Sequence, residues 1–439
     1  MSGLELLDRI QKKVLWLGTY MVHHANSLRP TTDGLKVGGH QASSSSIVSL
    51  LTALYFHALR SDDLVAVKAH AAPAFYAIQY LRGRLTAEAL RELRTFGGLQ
   101  AYPSRRKNAD IVDLSTGSMG LGAVQATFGA LAARYVVDHF GGERRGRVIV
   151  IVGDAELDEG NVAEALAEEV VSRLSGVLWI VDVNRQSLDR VVPDGRRRQM
   201  RAMFEAGGWR VDELRWGRRL RAVFDRRGGE RLRERLQGMT NAEYQRLLRL
   251  PPGAVRKALV AAGTGAIDRT LDRLLSGISD AALAELVADL GGHDLQLLVE
   301  ALDAAGRESD RPSVIFASTI KGWGLPLAGD PLNHTALLTQ SQIDELRATL
   351  GVGEGREWDG FAPDSEEARL VRQLPPLFSA PAPRAPAAEI VAELDESYPG
   401  ECSSQEAFGR VLAALSRLPG ADRIVTVSAD VAVTTHLAG

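Results

Sequence analysis

The chain has 439 residues, a length that suggests two to three domains, and 45% of them are hydrophobic, ample for a large core. A formal net charge of -3 argues against a general nucleic-acid binder. The single cysteine, Cys402, excludes an internal disulfide framework and any paired-cysteine redox or zinc motif, which fits a reducing cytoplasm.

The amino terminus, "MSGLELLDRIQKKVLWL", lacks the basic-then-apolar order of a signal peptide and reads as an amphipathic helix. Apolar positions at spacings of three and four predict helices over 3–25 and 45–60, with the Gly/Ser/Thr-rich loop "RPTTDGLKVGGHQASSSS" between them. Buried strands are expected at "DLVAVKAH" (63–70), "RVIVIVGD" (147–154), "VLWIVDVN" (177–184) and "SVIFASTI" (313–320), separated by helical patterns. That alternation means an α/β domain with a parallel sheet and helices on both faces. No apolar run is long enough for a membrane-spanning helix.

The first domain is expected over 1–374, with a charged helical insertion on the sheet at about 210–300. The arginines of the insertion read as a solvated helix face. A Pro-rich linker covers 375–402. Residues 403–439 hold one helix, opened by the capping pattern Ser403 and Glu406, and one strand, "RIVTVSADV". One helix and one strand do not make a domain, so this second α/β unit is expected to be incomplete: either another polypeptide completes it or the chain is a fragment of a longer one.

In parallel sheets, ligands sit at the carboxyl ends of the strands. Each predicted strand ends in a chemically active side chain: Lys68 and His70, then Asp154, then Asn184, then Lys321. Asp154 and Asn184 end neighbouring strands joined by one crossover. A carboxylate with an amide oxygen suits Mg²⁺ or Ca²⁺, which prefer hard oxygen donors. Magnesium is usually shared with substrate phosphates, so the residues read as a metal-diphosphate site. Taken alone, the same pair also serves as an ordinary cap and turn.

"GDAELDEG" followed by "VDVNRQSLDR" resembles the thiamin-diphosphate motif, which begins Gly-Asp-Gly and ends at an Asn about thirty residues later. With "GLKVGGHQAS", "STGSMGLGAV", "FEAGGWRV", "LGGHD" and "STIKGWG" in the same order, residues 10 to about 345 resemble the transketolase-like superfamily. The likeness is to the homodimeric-type decarboxylating component of pyruvate dehydrogenase. The resemblance implies thiamin diphosphate and Mg²⁺ as cofactors. Asp154, the Asn184 side chain and the Gln186 carbonyl would hold the metal. His40, His70 and His334 would be catalytic. Ser43, Lys68, Met119, Gly153, Ala155, Glu156, Asp182 and Lys321 would lie around the cofactor, with Met119 propping the thiazolium. Ala155 departs from the family's glycine, and it would be strained if the position needed a positive φ.

The implied activity is decarboxylation of a pyruvate-like 2-oxo acid, with transketolase- or acyloin-type two-carbon transfer from a ketose as the alternative. The family's activating glutamate belongs to a pyrimidine-binding domain of which residues 403–439 match only the opening. A partner chain bearing that domain is therefore expected, in an α2β2-type hetero-oligomer or a homodimer. A truncated enzyme, a non-catalytic subunit and a dinucleotide-binding protein are the competing readings.

Overall fold

A computed structural model of the chain describes residues 3–30, 34–143, 146–188, 190–261, 267–377, 393–394, 397–398, 400–427 and 432–434. The chain divides into two compact units, Met1–Phe378 and Ser379–Gly439.

The strands of the first unit are β1 (Leu64–Ala66), β2 (Val148–Gly153), β3 (Val177–Val183), the short pair β4 (Gln186–Ser187) and β5 (Arg190–Val191), then β6 (Arg210–Leu214) and β7 (Ser313–Ser318). Five of them form a parallel sheet in the order β1-β2-β3-β7-β6, while β4 and β5 make a small antiparallel ribbon. The central strands read as unbroken apolar runs because both faces of the sheet are covered. Alternate residues go to opposite cores. Ile149, Ile151, Leu178, Ile180 and Ile315 pack with the helices Gly3–His23, Val48–Ala53, Ala72–Leu81 and Leu295–Gly306. Val150, Val152, Trp179, Val181 and Phe316 pack with Leu121–Phe140, Gly160–Ala167 and Arg196–Ala206. Each such buried aliphatic or aromatic side chain contributes about 1.5–3 kcal/mol.

The amino-terminal helix forms because Leu7, Ile10, Val14, Leu17 and Met21 fall on one stripe, and all are buried. It ends at His23 and continues as one π-type turn, His24–Leu28. The second predicted helix likewise finishes in a π-type turn, Leu54–Ala58. The first predicted strand is shorter than expected: only Leu64–Ala66 pair with β2, and the chain leaves the sheet before Lys68.

The range read as a helical insertion opens on a strand. Arg210–Leu214 is β6, paired with β7 at the sheet edge. Its charged, half-exposed residues hid it from an apolar-run criterion. Beyond it, short helices from Arg218–Phe224 to Asp280–Val287 enclose their own core of Trp216, Leu220, Phe224, Tyr244, Leu259 and Leu283. Leu295–Gly306, which begins inside that range, packs in the core of the sheet and not of the insertion.

In the second unit, Ser403 caps the helix Ser404–Leu415 by accepting from Glu406 N at 3.0 Å. The strand expected at "RIVTVSADV" is absent from its described part. Ala421–Arg423 forms a 3-10 turn, 424–427 carries no ladder, and Val425 and Val427 are exposed. No neighbouring strand is present among the described residues of this unit to pair with it. Residues 428–431 lie outside the described residues, as does 378–392 of the expected linker.

Candidate active site at the carboxyl ends of the strands

The β2–β3 register places Gly153 beside Asp182, so Asp154 and Asn184 emerge from adjacent strands at the same edge. Arg185 N donates to the Asp154 carboxylate at 3.1 Å, and Gln186 N donates to Asn184 Oδ1 at 3.0 Å. Asp154 is buried. No cationic side chain pairs with it among the described residues, and burial first, then Asp182, pushes its pKa up to about 7. The Gln186 amide donates to the Asp330 carbonyl at 2.7 Å, leaving its Oε1 buried without a protein partner. Gln245 Nε2 holds the Asn184 carbonyl at 3.1 Å.

Asp182, one strand over, is in the opposite state. It is fully buried, and Lys68 Nζ at 2.5 Å, Ser46 Oγ at 2.7 Å, Asn184 Nδ2 at 3.2 Å and Thr319 Oγ1 all donate to it. Burial alone would raise its pKa; the Lys68 ammonium and these hydrogen bonds together hold it below the ordinary carboxylate range. Asp182 and Lys68 were expected at the cofactor. The structure couples them to each other, and Asp182 also touches Asn184 and raises the Asp154 pKa by its charge.

Glu156 folds back to accept from Gly153 N at 3.1 Å, and burial raises its pKa despite that bond. Ala155 lies in the 3-10 turn Asp154–Asp158 and is not among the residues with positive φ, so the strain considered for it is absent. Positive φ falls instead on Met119 (69°) and Gly120 (71°), just ahead of the helix Leu121–Phe140. A Cβ on Gly120 would stand 2.3 Å from Val162, so this turn requires glycine. Asn161 Nδ2 holds the Met119 carbonyl at 3.2 Å, and the Met119 side chain is 59% exposed. It is therefore not part of the core.

The three histidines converge. Ring centroids lie 4.1 Å apart for His40–His70, 4.6 Å for His40–His334 and 5.2 Å for His70–His334. His40 Nδ1 donates to the His334 carbonyl at 3.0 Å. Burial lowers the pKa of His40, and it drives His70 down to about 3 with help from His40, Lys68 and His334. Lys321 is buried, donates to the Leu188 carbonyl at 3.0 Å, and lies 3.3 Å from His334 Nδ1. Ser43 is buried in the helix Gln41–Ser45 that begins at His40.

Several residues of the site escaped the sequence reading. Ser46 and Thr319 clamp Asp182; both sit inside quoted motifs but carry no charge to mark them. Arg185 rests 4.4 Å above the Tyr244 ring. His293 accepts from Ile320 N at 2.9 Å and stacks on Trp323 at 4.8 Å, which orients the turn into Lys321. The "LGGHD" motif is built for that contact: a Cβ on Gly292 would meet Ser318 O at 2.6 Å, and Asp294 caps the next helix while pairing with Arg218 at 2.9 Å.

A buried carboxylate lacking a cation, with a neighbouring amide oxygen, is a fitting donor set for a hard divalent ion. The family model described as the transketolase thiamine diphosphate binding domain matches residues 55–225 and 277–359. That is more than half of the chain, which belongs to this family of thiamin-diphosphate-binding domains.

Similar relatives include the pyruvate dehydrogenase E1 component of Buchnera aphidicola subsp. Schizaphis graminum, 28% identical over 357 residues, covering 79% of this chain and 39% of that protein. The Corynebacterium glutamicum E1 component is 27% identical over 394 residues, covering 85% and 40%. The chain thus spans about two fifths of the length of these relatives. Transketolase from Leishmania mexicana shares the fold with a TM-score of 0.57 and 18% identity, over 83% of this chain and 44% of that one. Campylobacter jejuni transketolase does so with a TM-score of 0.57 and 17% identity, over 84% and 46%. Among the described residues no helix is long and apolar enough to cross a membrane.

Proposed function

We propose that the chain supplies the metal-and-diphosphate side of a thiamin-diphosphate-dependent enzyme that decarboxylates a pyruvate-like 2-oxo acid. The observation that carries this reading is the contrast at one sheet edge: Asp154 is desolvated and lacks a cation, while Asp182 beside it has one. Asp154 and the Asn184 side chain would hold Mg²⁺, with the Gln186 main-chain carbonyl. Lys321 would balance diphosphate charge, with Ser43, Gly153, Ala155 and Glu156 nearby, and Met119 would support the cofactor ring. Bound there, thiamin diphosphate supplies a carbanion sink for the loss of CO2.

The protein's own part is to orient and to handle protons. His40 is fixed through Nδ1, so its Nε2 is the nitrogen that accepts. Burial keeps His40 and His70 neutral near pH 7, able to take a proton from or share one with a substrate oxygen. The Lys68–Asp182 pair holds Asn184 Nδ2, and Gln186 N holds Asn184 Oδ1, so the amide is fixed from both ends.

The partner is a polypeptide bearing a pyrimidine domain, in an α2β2-type assembly or a homodimer. Two observations support it. Similar relatives are more than twice as long, and Leu121, Phe128, Val136 and Phe140 leave an exposed apolar face along one helix, with Met119 exposed just ahead of it. The test is co-expression with such a polypeptide, followed by CO2 release from a panel of 2-oxo acids with Mg²⁺ and thiamin diphosphate. Turnover of pyruvate or a homologue is expected. An assembly that transfers two-carbon units from ketoses and releases no CO2 would overturn the reading.

A further inference from the structure

The histidine trio has a second chemistry that the proposed reaction does not use. The ligand nitrogens of His40, His70 and His334 all lie within 4.8 Å of one another. A tetrahedral ion with nitrogen at about 2.0–2.1 Å needs its ligands roughly 3.3 Å apart, so small side-chain rotations close the set. The trio is partly exposed, so an ion can reach it. Its orientation is also supported from behind. His40 is tied through Nδ1 to the His334 carbonyl, which fixes that ring with Nε2 as its ligand nitrogen, the outer contact usual in metal sites. His334 Nδ1 accepts from the Lys321 ammonium at 3.3 Å, a contact that opposes the ion and gives way when one binds.

We propose that His40, His70 and His334 form a binding site for a borderline transition-metal ion such as Zn²⁺, Co²⁺ or Ni²⁺, separate from the oxygen-donor site at Asp154 and Asn184. The two sites sort ions by ligand type. Neutral imidazoles suit Zn²⁺, Co²⁺ and Ni²⁺, whereas carboxylate and amide oxygens suit Mg²⁺. The trio contains no carboxylate, and Lys68, Lys321 and Arg94 act on it as positive neighbours. The site therefore binds more weakly than one backed by acids, and Lys321 opposes the ion most directly. The inference does not depend on which reaction the assembled enzyme performs.

The test uses the full chain, with Co²⁺ as probe and Zn²⁺ as competitor. One Co²⁺ per chain is expected, with the intense visible absorption of a tetrahedral nitrogen-ligated ion, and Zn²⁺ should abolish it. His70→Gln and His334→Gln, each checked for a native circular dichroism spectrum, should weaken binding by roughly tenfold or more. Lys321→Met should tighten it. Asp154→Asn should leave the absorption unchanged. Absence of the tetrahedral spectrum, its persistence in both histidine variants, or its loss in Asp154→Asn would each overturn the proposal.

Discussion

Asp154 and Asp182 sit at the ends of neighbouring strands, both buried, and their surroundings set them apart. Asp182 has an ammonium and three further donors, and it serves the fold. Among the described residues Asp154 accepts from backbone N–H groups only, so its charge is costly where it stands. The same residue type at the same sheet edge has a cationic partner in one case and, among the described residues, none in the other. What separates them is Lys68, which projects from the turn after β1 and makes its ion pair with Asp182, reaching Asp154 only through its field.

The largest effect should come from breaking the satisfied side. Asp182→Ala strands a buried Lys68 and should cost about 3–5 kcal/mol in chemical denaturation. Asp154→Asn, by contrast, should leave the stability of the ion-free chain unchanged or raise it.

The pH dependence sharpens the contrast next. The pKa of Asp154 is raised from 3.8 to about 7, so the folded state binds the proton more tightly and ion-free stability should fall as pH rises across that interval. Asp182 is lowered, so its contribution is present above the ordinary carboxylate range and is lost as pH falls. His293 adds to the acid loss: burial lowers its pKa from 6.5 to about 3, so stability should decline as pH falls through that window. Denaturation midpoints across pH should show a neutral-side slope that Asp154→Asn removes and an acid-side slope that His293→Gln reduces.

A smaller effect is expected from Gly292→Ala, whose Cβ would enter Ser318 and Thr319. Overpacking there should cost about 1–3 kcal/mol and loosen the Thr319 clamp on Asp182, read by thermal unfolding. The smallest concerns Ala155. Because its backbone is not left-handed, Ala155→Gly gains nothing sterically and should cost about 0.4–1 kcal/mol through the unfolded chain, with cofactor affinity unchanged.

Much of this was readable from residue order. Apolar runs mark β2, β3 and β7 because these strands are covered on both faces, and their ends point to Asp154, Asn184 and Lys321. β6 was not readable, since an edge strand with charged residues looks like the start of a helix. The histidine trio came as three separate motifs spread over 295 positions, and only folding shows that the rings touch. Asp182 was placed at the cofactor because sequence shows proximity to Asn184 but not direction: its side chain turns toward Lys68, Ser46 and Thr319.

The contrast between the two aspartates is tested most directly by calorimetric titration of Mg²⁺ with thiamin diphosphate into the assembled protein, comparing wild type with Asp154→Asn. A native fold with cofactor affinity reduced by roughly a hundredfold or more is the predicted result, as expected for loss of a charged metal ligand. Unchanged affinity in Asp154→Asn would contradict the assignment of the metal to this strand end.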